Sequence, residues 1–191
     1  MSLLFATAYL PPAAYIFRAI QSGSITIDAH EHFVKQSYRS RCSIYGPNGK
    51  QDMIIPVHHE NLFTIPIKEV KISYDSRWQI IHWRSIEAAY KNSPFFEYFE
   101  DAFHPYYEKK YEFLFDFNLD LIQEILKAKK ANVEIKITEK YENTIDTIVD
   151  LRSHFHPKKT FESTTKYHQV FGEKHGFIDR LSIVDHLFNE R

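Results

Sequence analysis

The chain has 191 residues, a formal net charge of −1 at pH 7 and a sequence pI near 6.8. This length suits one domain, residues 1–191, and the balanced charge argues against a dedicated nucleic-acid binder, which normally carries a basic excess. A single cysteine, Cys42, excludes an internal disulfide and is typical of an intracellular protein. Because no apolar run reaches the roughly 18 residues of a membrane span, we expect a cytoplasmic protein without a transmembrane segment.

The first 28 residues predict a compact βαβ unit. Residues 3–8 form an apolar run, and the stretch AAYIFRAIQSG has the spacing of a short helix that ends at Gly23. The stretch SITID at 24–28 predicts a second strand. A strand, a helix and a strand in so short a segment predict parallel pairing with a right-handed connection.

Residues 38–57 predict a β-hairpin that turns at Asn48-Gly49. With these two residues at the centre of a type I′ turn, the facing pairs bring apolar residues together: Ile44 with Met53, Cys42 with Ile55, and Ser40 with Val57. Those pairs form the core face. Arg39 and Arg41 then project from the opposite, solvent-facing side, because side chains alternate along a strand.

The rest of the chain predicts further helices and strands. In chain order these are a strand over 67–74, a helix from a Ser76–Gln79 capping box through Tyr90, an aromatic helix capped by Ser93 with Pro94 at its first position and ended by His104-Pro105, a helix after Asn118, and a strand over 133–137. Residues 139–176 are predicted to be mainly loop, and Ser182 caps a short final helix. The predicted class is therefore α/β, a single domain with a short N-terminal βαβ unit, the hairpin and several helices.

Common cofactor motifs are missing from the sequence. Its five glycines form neither a GxGxxG nor a P-loop motif, and GxSxG does not occur, so we expect no cofactor and no serine hydrolase of that kind. Asp28, His30 and His32 would share one strand face if the strand continued beyond 28. Their i, i+2, i+4 spacing holds the two imidazoles roughly 7 Å apart, so we predict no metal site. Whether the three form another kind of site stays open.

Lys35, Arg39 and Arg41 concentrate positive charge at the start of the hairpin, in a chain whose formal charge is −1. Like charges at i and i+2 repel each other unless an anion neutralises them, and arginine side chains bind phosphates and carboxylates bidentately. The hairpin therefore predicts an anionic ligand. The alternatives are an internal Asp or Glu partner, or a plain solvated surface.

The loop YLPPAAY lies between the first strand and the first helix, where ligands bind in open α/β sheets. Tyr9, Pro11 and Tyr15 are candidates for lining such a pocket. The alternative is a proline-capped helix start with packed tyrosines.

Three further residues are candidates for chemistry. His82 lies on a predicted helix and is the candidate general base, because an imidazole titrates near neutral pH. His156 and Lys158 lie in the loop HPKK and are candidate donors to an anion. The alternatives are a structural histidine and a solvated loop.

Several segments, taken in order, resemble the WbqC-like family: YLPP with the Tyr15 that follows, the KQSYRSR hairpin with IPV, WQIIHWRSIEAAY, SPFFEYF and the closing LSIVDHLFN. The family pattern often has Gln-Pro at the entry to the first loop and Asn before the last hairpin arginine. Here Thr7-Ala8 and Ser40 occupy those places, so the roles of those family residues do not carry over. The resemblance implies an association with bacterial O-antigen and other surface-polysaccharide gene clusters.

These observations together favour a transferase-like enzyme that acts on an activated, anionic sugar or acyl substrate, such as a sugar nucleotide. Lys35, Arg39 and Arg41 would bind phosphate or carboxylate, Tyr9 and Tyr15 would line the pocket, and His82 would accept a proton. The competing hypothesis is a non-catalytic binding or scaffold protein of a polysaccharide-assembly complex. A deep pocket that joins His82 to the arginines would favour the enzyme, and a flat apolar patch would favour the scaffold.

Overall fold

The computed structural model of the protein describes residues 2–58, 60–141 and 148–190. A four-stranded parallel sheet and a two-stranded antiparallel hairpin are packed with helices in one α/β domain, which confirms the predicted fold class. The strands are β1 Ser2–Ala6, β2 Ser24–Asp28, β3 Arg41–Gly46, β4 Gly49–Ile54, β5 Glu134–Ile137 and β6 Ile148–Asp150. The helices are α1 Ala13–Ser22, α2 Trp78–Tyr90, α3 Phe96–Phe103, α4 Pro105–Glu108, α5 Leu114–Ala128, α6 Gly172–His175 and α7 Ile183–Asn189.

The predicted βαβ unit is present. Strand β1 pairs in parallel with β2, with Leu4 opposite Thr26, and α1 connects them. Helix α1 ends at Gly23, whose φ of +68° lets its N–H bond the carbonyls of Ala19 and Ile20. The apolar face of α1 is buried, so this unit assembles from the local pattern of the sequence.

The strand order of the sheet is β5-β2-β1-β6, and all neighbouring strands are parallel. The chain moves from β1 to β2 and on to β5, and then returns to place β6 on the other side of β1. The strand order therefore reverses between β1 and β6. Ligands of open α/β sheets bind at such a reversal, outside the carboxyl ends of the strands.

The hairpin exists, but the predicted register is wrong. Cys42 faces Met53 rather than Ile55, and Gly46 faces Gly49, so Pro47 and Asn48 occupy the turn. Proline holds φ near −65°, which excludes the type I′ turn and leaves the positive φ to Gly49 at +103°. Because the shift amounts to two residues on the facing strand, each side chain keeps its predicted face.

The predicted strand over 67–74 is also wrong. Residues Ile67–Glu69 form a 3₁₀ turn, followed by isolated bridges at Lys71 and Ile72. Ile67 and Val70 are fully buried, and the Val70 carbonyl accepts the Leu114 N–H at the start of α5. A spacing of three between buried residues suits a 3₁₀ turn rather than the alternation of a strand.

Two predicted helix caps are replaced by other hydrogen bonds. Helix α2 begins at Trp78 without a side-chain cap, and Gln79 instead donates to the carbonyls of Tyr106 and Lys109. Helix α3 begins at Phe96, and the Ser93 hydroxyl donates back to the Tyr90 carbonyl. Both helices form as predicted, since their apolar residues have other helices to pack against.

The later helices and strands are of the predicted types, but some of their bounds differ from the prediction. Helix α5 begins four residues before Asn118, which lies buried within it. The strand over 133–137 is present as β5, and Ser182 caps α7 by accepting the Val184 N–H. Residues 139–176 are described except for 142–147, and they contribute β6 and α6 in addition to loop. No helix in the described ranges combines the length and the apolar character needed to cross a bilayer.

Candidate functional site

A cleft of about 510 Å³ lies beside the carboxyl ends of β2 and β6. Its lining residues follow β2 or β5, lie at or just after the end of β6, or precede the hairpin: His30, Glu31, His32, Val34, Arg39, Tyr141, Asp150, Arg152 and Ser153. This is the edge of the sheet at which the strand order predicts a ligand site. The lining is mostly polar or charged, and its two arginines are each held by carboxylates.

Arg152 connects the ends of β2 and β6. Its Nη1 donates to Oδ2 of the fully buried Asp28 at 2.5 Å, and its Nη2 donates to Oδ2 of Asp150 at 2.7 Å. Burial raises the pKa of Asp150, but the bonds from Arg152 outweigh it and hold that pKa below its usual value. The two carboxylates together hold the guanidinium in place.

Asp28 also organises the backbone that enters the cleft. Its Oδ1 accepts the N–H groups of His30 and Glu31 and the Thr138 hydroxyl beyond β5. A carboxylate that receives several such bonds is stable in a buried position. The turn that carries Glu31 therefore takes its position from the end of β2.

Arg39 is buried and forms an ion pair, whereas the sequence placed it on the solvent-facing side of the hairpin. Its Nε donates to Oε1 of Glu31 at 2.9 Å and its Nη2 donates to Oε2, with both residues at 5% exposure or less. Arg39 lies in a turn before β3, and the Asn118 amide on α5 donates to its carbonyl, so the alternation of the strand does not apply to it. Burial raises the pKa of Glu31 to about 7, against the effect of Arg39.

Lys35 and Arg41 do not line the cleft that Arg39 lines. The Lys35 ammonium lies 4.7 Å from the centre of the Phe63 ring. Arg41 Nη1 lies 3.8 Å from Oδ2 of Asp52, which is a loose and partly exposed pair. The three cations of the hairpin segment therefore have three different partners.

His156 and Lys158 lie in a loop near Arg39. The Lys158 backbone N–H donates to Nδ1 of His156, which is half-buried. Burial and then the positive charge of Arg39 lower the pKa of His156. Neither His156 nor Lys158 is among the residues that line the cleft.

His82 and Tyr9 belong to a buried hydrogen-bond chain. The Tyr9 hydroxyl lies 2.9 Å from Nδ1 of His82 and 2.9 Å from the Tyr107 hydroxyl. Burial lowers the pKa of His82 to about 4, although a hydrogen bond to the Ile54 carbonyl raises it slightly. His82 is therefore neutral at pH 7, and it does not line the cleft.

Tyr15 and Pro11 are buried and anchor the first loop. The Tyr15 hydroxyl donates to the Ala6 carbonyl at 2.8 Å, and the Pro11 carbonyl accepts the Ile183 N–H at 2.8 Å. Burial, and then the neighbouring charge of Glu31, raise the pKa of Tyr15. The Tyr15 ring packs against Phe5 and Phe155, and neither Tyr15 nor Pro11 lines the cleft.

The histidines that follow β2 do not share a strand face with Asp28, because β2 ends at Asp28. His30 Nε2 lies 3.4 Å from the Lys68 ammonium, and His32 forms a bridge with Pro66. Within the described ranges, no group of three or more His, Cys, Asp or Glu side chains is arranged to hold a metal ion.

Sequence reasoning missed four charged or aromatic residues of the cleft: Glu31, Tyr141, Asp150 and Arg152. A signal for two of them was present, since Asp150 and Arg152 follow the apolar pair Ile148-Val149, as Asp28 follows SITI. Charged residues directly after short apolar runs indicate the carboxyl ends of buried strands. The weak hydrophobic periodicity of residues 139–176 gave no prediction of this strand.

Comparison with known proteins identifies the family. The model of the WbqC-like protein family matches residues 7–161, so the chain belongs to that family, as the motifs indicated. No curated protein matched the chain. No solved structure matched it either.

Proposed function

We propose that this member of the WbqC-like family is a transferase-like enzyme of surface-polysaccharide biosynthesis, of the O-antigen type, and that it binds an activated, anionic sugar or acyl substrate in the cleft. One observation carries the proposal: two arginines, each held by buried carboxylates, line a single cleft at the carboxyl edge of the sheet.

The carboxylates preorganise the arginines for an anion. Glu31 uses two of the five N–H donors of Arg39, and Asp28 and Asp150 hold Arg152 through its Nε and both terminal nitrogens. N–H groups that remain on a fixed, planar guanidinium suit the oxygens of a phosphate. Because the side chains are already ordered, ligand binding loses little of their conformational entropy.

The charge balance of the cleft favours a ligand that also carries hydroxyl groups. Three carboxylates face two guanidinium groups, so net charge alone does not attract an anion here. His30, His32 and Asp150 supply further donors and acceptors at the lining. A phosphate next to several hydroxyls, as in an activated sugar, matches this mixture.

The candidate residues predicted from the sequence differ in whether they contact the ligand in this proposal. Arg39 contacts the anion, whereas His156, Lys158 and Tyr15 lie outside the lining of the cleft. Lys35 and Arg41 do not line the cleft, and Tyr9 and Pro11 hold the loop between β1 and α1. The role of His82 as the proton acceptor stays a prediction.

The second candidate is a non-catalytic protein that binds an activated sugar within a polysaccharide-assembly complex. It is favoured by the position of His82, which is buried in the core outside the lining of the cleft.

If His82 accepts a proton in catalysis, His82→Gln lowers kcat strongly and leaves KM unchanged, because binding energy in the ground state is untouched.

Binding and turnover separate the two candidates. UDP-glucose, dTDP-glucose, acetyl-coenzyme A and inorganic pyrophosphate are tested by thermal shift, and bound compounds are incubated with hydroxyl and amine acceptors and followed by mass spectrometry. We expect at least one compound to raise Tm, because it binds the native state, and to give a transferred product. Binding without product in any acceptor mixture favours the non-catalytic protein.

The matched variants are Arg152→Lys and Arg39→Lys, with Arg84→Lys on α2 as the control outside the cleft. Lysine cannot form the bidentate contact of a guanidinium, so the affinity for the compounds that bind should fall by roughly 10-fold in the first two variants. The control should keep the affinity of the unmodified protein. If none of the compounds binds, or if all three variants behave alike, the proposed function is wrong.

A further inference from the structure

Tyr141 is an exposed aromatic residue at the lining of the cleft. Its ring centre lies 4.9 Å from the Arg152 guanidinium, and 51% of the residue is exposed. A tyrosine normally buries its ring and keeps only the hydroxyl in water. Here the guanidinium lies over the ring while about half of the residue stays exposed, so a planar group has room to stack against it.

The charged groups next to Tyr141 indicate which part of the ligand binds beside the planar group. Arg152 lies under Tyr141, and Arg39 lines the same cleft. The cleft therefore has a site for a planar ring beside two fixed guanidinium groups that suit phosphate oxygens. Every nucleobase has a π-face that can stack on an aromatic side chain.

We propose that the cleft binds the nucleoside diphosphate part of its substrate, with the base stacked on Tyr141 and the two phosphates bound by Arg152 and Arg39. This inference rests on the proposed function and narrows its substrate class. Sugar nucleotides and coenzyme A thioesters both contain a nucleoside diphosphate, so the shared chemistry covers an activated sugar and an activated acyl group. Sugar 1-phosphates and acyl phosphates, which lack a base, would be poor ligands.

The test is calorimetric titration of the full chain with inorganic pyrophosphate, UDP, UDP-glucose, ADP and acetyl-coenzyme A. We expect the compounds that contain a base to bind about 10-fold more tightly than pyrophosphate, the factor that stacking of one base on an aromatic side chain supplies. Tighter binding of UDP-glucose than of acetyl-coenzyme A identifies the sugar donor, and the reverse order identifies the acyl donor.

Variants of Tyr141 test the stacking itself. Tyr141→Ala should lower the affinity for the nucleotides by about 10-fold and change the affinity for pyrophosphate by no more than about 2-fold. Tyr141→Phe keeps the ring and should keep the affinity for the nucleotides. The matched control is Tyr98→Ala on α3, since Tyr98 is 60% exposed and does not line the cleft. It should bind all the compounds like the unmodified protein.

Two kinds of failure are distinguishable. If pyrophosphate binds and the nucleoside adds nothing, or if Tyr141→Ala binds nucleotides normally, the nucleotide inference is wrong and the anion cleft stands. If neither pyrophosphate nor any nucleotide binds, the proposed function fails and this inference fails with it.

Discussion

At the scale of single residues, His82 is held neutral by its surroundings. Tyr9 occupies its Nδ1, and the aromatic rings of Tyr9 and Trp78 pack on the imidazole. None of these neighbours carries a charge near pH 7. An imidazolium at this position would lack a counter-ion, which is why burial dominates the pKa.

The stability of the protein should therefore depend on the protonation of His82. The pKa falls from an ordinary 6.5 to about 4 on folding, so the unfolded chain binds more protons between these values and stability rises with pH across that window. The full effect is about 3 kcal/mol. Urea unfolding from pH 4 to 7.5 should show a shallower rise for His82→Gln, whereas His58→Gln, which alters an exposed histidine, should keep the slope. An unchanged slope in His82→Gln would contradict this account.

Glu31 should make anion binding in the cleft depend on pH. Burial raises its pKa to about 7, so lowering the pH from 8 to 6 neutralises a carboxylate beside Arg39, which stays charged. We expect sulfate, whose own charge is constant in this range, to bind about 5-fold more tightly at pH 6. Because histidines also line the cleft, a variant is needed to isolate the effect of Glu31.

That variant is Glu31→Gln, with Glu87→Gln on α2 as the control. Glu31→Gln should bind sulfate at pH 8 nearly as well as the unmodified protein does at pH 6, because its carboxamide is neutral at both values. The control should keep the normal pH dependence. Titration calorimetry measures both, and an unaltered pH dependence in Glu31→Gln would show that Glu31 is not the group responsible.

At the scale of elements, the hairpin turn depends on one glycine. Gly49 has a φ of +103°, and a Cβ at this position would meet no atom within 4 Å. Gly49→Ala should therefore destabilise the protein through the backbone alone, by about 1–2 kcal/mol. Gly172→Ala is the control, because its φ lies outside the left-handed region and its Cβ would lie 3.8 Å from Cβ of Gln169, an ordinary contact.

The control should be neutral or stabilise by about 0.5 kcal/mol, since alanine lowers the entropy of the unfolded chain. Urea unfolding of the two variants gives the comparison. If Gly49→Ala and Gly172→Ala lose equal stability, a Cβ at position 49 does not strain the turn. The conformation of Gly49 would then differ from the one described.

At the scale of the whole molecule, the Asp28–Arg152 pair joins two strands across β1. Removing the cation alone leaves Asp28, which has 0% exposure, as a buried and unpaired charge. We expect Arg152→Met to cost about 3–5 kcal/mol. The double variant Asp28→Asn with Arg152→Met should cost about 1–3 kcal/mol less than the two single losses added together.

Arg41→Met provides the comparison for a loose pair. Its contact with Asp52 is 3.8 Å long and partly exposed, so its removal should change the free energy of unfolding by about 1 kcal/mol or less. All variants are measured by urea unfolding at pH 7. Additive losses in the Asp28 and Arg152 cycle would show that the two residues act independently.

The sequence by itself determined the elements whose signals are local. The βαβ unit, the apolar faces of α1 and α5, the Ser182 cap and the existence of the hairpin follow from periodicity and turn residues within a few positions of each other. The predicted hairpin register was wrong for a local reason as well, because Pro47 occupies the turn and its fixed φ excludes the type I′ turn.

Only the tertiary structure decided the composition of the cleft. Arg152 meets Asp28 across 124 positions of sequence, and the Asn118 amide that orients Arg39 lies 79 positions away. Local periodicity carries no information about such pairs, since it reports only which side of its own element a residue occupies. Arg39 was recognisable as an unusual charge, but its partner Glu31 and its burial depend on how the turn after β2 packs against the turn before β3.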